Sequence, residues 1–294
     1  MSRRADSRHV GATGRGIAYM LAGMVLLTLN DAVVKWLVAD YPVGEVLFFR
    51  GALVALGVAA ALFWRSGAAG FRVVGRKGQT WRALLVVTSS FLFIGGLSFL
   101  PLADAIAIAF AGPLFTTVLA VPLLGERVGW RRWSAVLVGF AGVVAMTRPG
   151  SGIVQWAALL PLGACLAGAL RDVVTRRLAA LDPSLLTLLC TTTAVTLAGA
   201  ATLPFAWRTP SVPDLWLLLL SAALQAGAQF LQLEAFRHAE AVAVVPYRYS
   251  SLVWAVLLGY LVWGHLPDAT VFLGAATIVA SGLYIWHRER RVAR

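Results

Sequence analysis

Charged and reactive side chains are scarce in this chain. Only 13% of its 294 residues are Asp, Glu, Lys or Arg, and it holds two cysteines and four histidines. Cys165 and Cys190 sit in apolar segments without CxxC or metal-ligand spacing, so each reads as a small buried hydrophobe. His9, His238, His265 and His287 fall in expected tails or loops, which removes a HExxH zinc motif and an intramembrane His pair. No GxxxxGK[ST] loop is present, so ATP cannot drive a cycle from this chain, and neither a cofactor nor a nucleotide-driven subunit is implied. No connection between apolar runs reaches about twenty residues, which leaves no sizeable soluble domain and argues against a receptor or scaffold.

What the chain has is apolar runs. It is 60% hydrophobic with 11 Trp, and ten stretches, 16–38, 43–64, 81–100, 104–124, 131–147, 153–171, 185–206, 214–236, 240–262 and 268–286, approach the ~20 residues that cross a hydrocarbon core. Twenty of the 25 Lys and Arg residues fall in alternate connections, and the opposite connections hold only Arg148 and Arg208. The positive-inside rule then puts both termini in the cytoplasm. That rule already explains the net charge of +12, so no nucleic-acid partner is implied; segments such as Arg72 to Lys77 meet anionic lipid headgroups instead. The Arg-rich start resembles a signal-peptide n-region, but the run after it is too long and lacks a convincing cleavage site, so it is read as a retained first span. The expectation is a multi-pass protein of a bacterial inner (plasma) membrane.

Two weak self-matches share an offset of 136 residues. Gly16-Ile17 aligns with Gly152-Ile153 and Lys35 with Arg171, while Ala103-Asp104-Ala105-Ile106-Ala107-Ile108 aligns with Ala239-Glu240-Ala241-Val242-Ala243-Val244. Five spans lie between equivalent points, and five is odd, so the second half enters the membrane from the opposite side. Such inverted repeats let two similar bundles rock about one central cavity, a transporter arrangement. The expected fold is therefore an all-α integral membrane protein of ten transmembrane helices. Its cytoplasmic tail is 1–15, its first five-helix repeat 16–148, its second, inverted repeat 149–286, and its C-terminal cytoplasmic tail 287–294.

Six motifs bear on the family. Asn30-Asp31-Ala32-Val33-Val34-Lys35 precedes Pro42, Glu45 and Phe49-Arg50; Gly112-Pro113-Leu114-Phe115 follows in span four, closed by Gly125-Glu126-Arg127. In the second half Pro246-Tyr247-Arg248-Tyr249-Ser250 and the Gly274 to Gly282 segment are similarly placed. In order and spacing the chain resembles the ten-span EamA-type members of the drug/metabolite transporter superfamily over nearly its whole length. The resemblance implies a substrate pathway between the halves, with exporters of amino acids and other small metabolites among known members. One departure is Gly264-His265, where the family usually ends the ninth span with Gly-Glu.

Four charges lie inside expected spans. Each of Asp31, Lys35, Arg50 and Arg248 costs about 2.5–3.5 kcal/mol in hydrocarbon unless compensated. At ~1.5 Å per residue, Asp31 lies about 6 Å outward of its span centre and Arg50 about 5 Å, so the two can meet. Lys35 follows Asp31 by four positions and shares its face, which allows an outer Asp31, Lys35, Arg50 cluster, either a gate or a permanent ion-pair staple. Gln225, Gln229 and Gln232 share one face of span eight, and Tyr247, Arg248, Tyr249, Ser250 and Ser251 lie at a similar depth in span nine. A guanidinium among amides and phenols suits a carboxylate, while the rings offer faces to an apolar or cationic group; the alternative is a polar network between helices. Pro113 and Pro246 read as hinges or static kinks. Most tryptophans sit at span ends as interfacial anchors, which leaves Trp156 and Trp254 as cavity residues alongside Asn30.

The function expected is transport of a small metabolite by alternating access, amino acids including aromatic ones being exported. The alternative is uptake of a nucleoside-like or sulfonium metabolite. An intramembrane enzyme would need paired acids or metal ligands on facing helices, and Asp31 is the one acidic residue placed well inside a span.

Overall fold

The computed structural model describes residues 2–124, 129–147, 153–178, 183–239 and 244–292. Every regular element among them is helical: α1 (Ser2–Leu37), α2 (Val43–Ser66), α3 (Arg76–Phe99), α4 (Leu102–Ala109), α5 (Gly112–Leu124), α6 (Trp130–Thr147), α7 (Ile153–Leu178), α8 (Ser184–Thr202), α9 (Val212–His238), α10 (Ser250–Trp263) and α11 (Ala269–Val292). Short 3₁₀ turns occupy Gly67–Phe71 and Val245–Tyr249. Seven helical stretches are long and apolar enough to cross a membrane, and Trp133–Met146 and Ala269–Tyr284 are shorter apolar helices. The chain is an all-helical multi-pass membrane protein, as hydrocarbon demands: a lipid-exposed backbone must satisfy its own hydrogen bonds, and a helix does so within one segment.

Helix ends follow local chemistry. At α9, the Ser211 hydroxyl accepts from the Asp214 amide at 3.3 Å, Pro213 sits in the first turn, and Arg237 and His238 lie in the last turn, where the helix dipole favours cations. At the far end of α10, Gly264 adopts φ 67°, a left-handed stop, and the His265 amide bonds back to the Gly259 carbonyl at 3.1 Å. The Gly264-His265 departure thus keeps the residue that ends the helix.

Four antiparallel pairings build the bundle: α1 with α9, α2 with α8, α3 with α7, and α6 with α11, while α4 packs against α10. Small residues set the close approaches. A Cβ at Gly199 would lie 2.5 Å from the Gly44 carbonyl oxygen and 2.8 Å from the Phe48 amide, and one at Gly142 would lie 2.8 Å from the Gly274 carbonyl oxygen. Without a hydrophobic drive between helices in lipid, such contact of backbones is what holds them. Large side chains point the other way: Trp64, Trp130 and Trp216 are strongly exposed near helix ends, as interfacial anchors are.

The spans differ from expectation in two ways. First, helices outrun their apolar stretches: α7 continues through Arg171 to Leu178, where the charge count suggested a connection, because backbone bonding does not stop where hydropathy falls. Second, 104–124 and 240–262 are not continuous. Span four breaks between α4 and α5 at Phe110 and Ala111, and within span nine a 3₁₀ turn at Val245–Tyr249 precedes α10. Gly125-Glu126-Arg127, Arg148, Gly152 and residues 240–243 of the self-match lie outside the described residues.

Candidate functional site

The two interruptions face each other. α4 ends at Ala109, the Ala111 amide turns back to the Ile108 carbonyl at 2.9 Å, and α5 starts at Gly112. Pro113 is therefore the second residue of α5, a position where a missing N–H costs little, rather than a kink inside a helix. The carbonyls at the break find a further donor, for the Cys165 thiol of α7 lies 3.6 Å from the Ile108 oxygen and 3.3 Å from the Ala109 oxygen. On the other side Pro246 occupies the first turn of Val245–Tyr249, and the Ser251 hydroxyl caps the Arg248 carbonyl at 3.0 Å. The rings of Phe110 and Tyr249 pack directly on one another, centroids 4.9 Å apart at 45°, and join the two interruptions.

Unmet polar capacity collects at this junction. The Ser250 hydroxyl and the Trp254 indole N–H are buried without a hydrogen-bond partner among the described residues, although buried polar atoms normally have one. Arg248 and Tyr247 are exposed within the chain, and the Arg248 guanidinium makes no hydrogen bond among the described residues. Behind the turn, α11 comes so close that a Cβ at Gly282 would collide with the Tyr249 hydroxyl. A flat molecule with polar edges can stack on this aromatic pair and meet the unmet donors beside it once the two rings part.

The buried charges of α1 and α2 make a second focus. Asp31 and Arg50 act on one another through their charges, without a hydrogen bond or an ion pair joining them. Asn30, 1% exposed, donates through Nδ2 to Asp31 Oδ1 at 3.2 Å and accepts at Oδ1 from the Ser221 hydroxyl of α9 at 2.8 Å. Lys35 goes elsewhere. Its Nζ donates to the carbonyls of Leu97 (2.9 Å) and Leu100 (2.6 Å), bare groups at the end of α3, and lies 5.7 Å from the Trp263 ring, with Asp104 as its electrostatic partner.

Other expected residues stand apart. Trp156, near the start of α7, packs its ring on Phe99 at 4.8 Å, at the far end of that helix from Arg171. Gln232 packs against Gly23, where a Cβ would meet its Cγ at 3.2 Å, and Gln225 and Gln229 are half-buried on the same helix. A latch closes the rim at the α1–α2 turn. The Tyr41 hydroxyl donates to Asp214 Oδ2 at 2.6 Å, the Arg208 amide donates to Glu45 Oε2 at 3.0 Å, and an Arg208 Nη donates to the Asp40 carbonyl at 2.8 Å. Neither this latch nor the role of Cys165 was visible in spacing; Glu45 entered the sequence reading only as a residue of the family motif.

Comparison with known proteins agrees with this architecture. The model of the EamA-like transporter family matches residues 14–148 and 155–286. The chain is similar to the S-adenosylmethionine uptake transporter of Rickettsia prowazekii, 29% identical and covering 94% of each chain. It is also similar to the riboflavin transporter of Rhizobium johnstonii, 29% identical over 95% of this chain and 93% of the other. The pseudopaline exporter of Pseudomonas aeruginosa is 27% identical over 90% and 94%. A solved crystal structure aligns with TM-score 0.62 at 18% identity, covering 97% of this chain and 99% of the other, a likeness of fold.

Proposed function

The chain belongs to the EamA-like transporter family, and from that premise we propose that it takes up a flat, ring-bearing metabolite through the junction of its interrupted spans. That it is a transporter of small metabolites follows from the family and the relatives; the ring-bearing class, the direction and the mechanism are our reading. Neither the sulfonium nucleoside nor the flavin named in those relatives is a plain amino acid, and both carry a heteroaromatic ring, so uptake of a nucleoside-like or sulfonium metabolite takes precedence over amino-acid export. The observation that carries it is the Phe110–Tyr249 pair beside the unpartnered Trp254 N–H and Ser250 hydroxyl. Tyr247 and Arg248 complete the contact set, and Asn30, Asp31, Gln225 and Gln229 line its approach.

In this reading the chain has ten spans in two inverted repeats, 16–148 and 149–286. Three observations support it. The family model matches two successive stretches of similar length. Advancing every span by five carries the α1–α9 pairing onto α3–α7, and returns the α2–α8, α4–α10 and α6–α11 pairings to themselves. The offset of 136 also carries the break at Phe110 and Ala111 onto Pro246 and Tyr247, inside the other interruption. Broken spans facing across a pseudo-two-fold axis are how transporters of this design hold substrate, while rocking of the halves exposes it to each side in turn. The Tyr41, Glu45 and Arg208 latch then closes the outer rim, and the Asp31–Arg50 pair sits beneath it.

Export of amino acids is the second reading, and the free Arg248 guanidinium favours it, since a bidentate carboxylate would satisfy that group. Counterflow in liposomes with labelled S-adenosylmethionine, riboflavin and aromatic amino acids tests both. Uptake of a ring-bearing solute with no amino-acid counterflow is expected; amino-acid counterflow alone would reverse the order, and movement of none would remove both.

A further inference from the structure

Two guanidinium groups meet where α3 begins and α7 nears its end, and Arg248 of the Val245–Tyr249 turn is within electrostatic reach of them. Arg82, in the second turn of α3, donates through Nε to the Thr175 hydroxyl at 2.9 Å and through an Nη to the Thr187 carbonyl at 3.4 Å, so both its acceptors are neutral. Thr175 donates onward to the Arg171 carbonyl at 2.7 Å, which ties Arg82 to the turn of α7 bearing Arg171. Arg171 engages the one carboxylate at hand, Asp172, whose Oδ1 accepts from Nε at 3.0 Å and from an Nη at 2.8 Å. Arg248 lies near enough to feel Asp172 and Arg171, and Arg82 feels the same two groups.

The charges do not balance. Among the described residues these three cations have one carboxylate between them, already committed to Arg171, and no hydrogen bond or ion pair joins the Arg248 guanidinium to another described residue. Like charges brought together repel one another, so a cluster of this kind is stable only beside water or an anion. The Arg171 and Asp172 side chains are 35% and 48% exposed, so the cluster has an open side through which an anion can enter. Planar guanidinium forks match the paired oxygens of a carboxylate or phosphate, which a lone backbone carbonyl cannot replace.

We infer that Arg82, Arg171 and Arg248 form an oxyanion subsite that receives the carboxylate or phosphate end of the transported metabolite. This rests on the transport reading above: the ring lies at the Phe110–Tyr249 contact and the anionic end reaches Arg248 and then the other two. Asp172 is a resident competitor. In the empty site it neutralises Arg171, and an arriving oxyanion must displace it, which keeps the subsite from trapping its cargo.

The test is titration of the purified full-length chain with inorganic phosphate at constant ionic strength, read as the shift in thermal unfolding midpoint against a chloride control. Phosphate is expected to stabilise the chain. Arg82→Gln and Arg171→Gln each weaken that effect about tenfold, the loss of one charged hydrogen-bond partner. Asp172→Asn strengthens it, a sign that a purely structural ion pair would not produce. Equal phosphate response in Arg171→Gln and the parent, or no gain in Asp172→Asn, overturns the subsite. A parallel arm in phosphatidylcholine nanodiscs with and without phosphatidylglycerol separates the sources; stabilisation by that lipid alone assigns the cluster to headgroups and overturns the metabolite role. Failure of every ring-bearing solute in counterflow would sink the transport reading while leaving the phosphate titration to stand or fall by itself.

Discussion

The Ser221 hydroxyl donates to Asn30 Oδ1 at 2.8 Å, and the other end of the same amide donates to the Asp31 carboxylate at 3.2 Å. One serine on α9 thereby orients the amide that holds an intramembrane acid on α1. Ser221→Ala leaves the Asn30 oxygen buried and unmet, which should lower stability by about 1–2 kcal/mol, measured by reversible unfolding in mixed micelles. Ser221→Thr keeps the hydroxyl and should retain most of it.

Asp31 and Arg50 give a sharper contrast. Arg50→Gln takes away the nearby cation that favours the Asp31 carboxylate and should cost about 1–3 kcal/mol, whereas Asp31→Asn with Arg50→Gln removes both charges and should recover much of that loss. Equal damage in the single and double variants would deny that the two residues serve each other. If the pair also gates, the double variant folds but moves solute more slowly.

Glycine positions separate packing from mere composition. Gly199→Ala puts a methyl against the backbone of α2 at Gly44 and Phe48, and backbone cannot step aside, so about 1–3 kcal/mol of destabilisation is expected. Gly57→Ala, with nothing within 4 Å of the added carbon, should be neutral or slightly stabilising. Parallel unfolding curves of the two variants decide the matter.

Cys165 should behave as a donor. Cys165→Ser keeps a hydrogen for the Ile108 and Ala109 carbonyls and should preserve transport, while Cys165→Ala takes the side-chain donor from both and should lower both stability and rate. Initial counterflow rates of the two variants, compared at equal reconstituted amounts, check this; indistinguishable rates would reduce the thiol to filler.

Much of the fold was legible because hydrocarbon leaves a chain few options. Runs such as 43–64 and 131–147 became α2 and α6 with ends shifted by a residue or two, since an apolar run of spanning length must satisfy its backbone internally. The breaks in spans four and nine were not legible, although Pro113 and Pro246 stand at both, because apolar composition runs straight through them. Lys35 shows a second limit. Spacing put its Cα on the face of Asp31, but its flexible stem reached the bare carbonyls ending α3, partners that exist only once α1 and α3 meet. Arg171 was read as a loop charge because hydropathy falls there while the helix does not.

The central claim is that the facing interruptions frame a passage reached from either side of the membrane. Ser250→Cys, made with Cys190→Ala and with the buried Cys165 kept, places a reporter thiol at the junction; the Cys190→Ala chain alone sets the background. Reaction with a membrane-impermeant thiol reagent applied to one face of sealed liposomes of known orientation, then to the other, is the direct measurement. Labelling from both faces, slowed by a transported solute, is the predicted result; labelling from one face only, or from neither, would contradict the account.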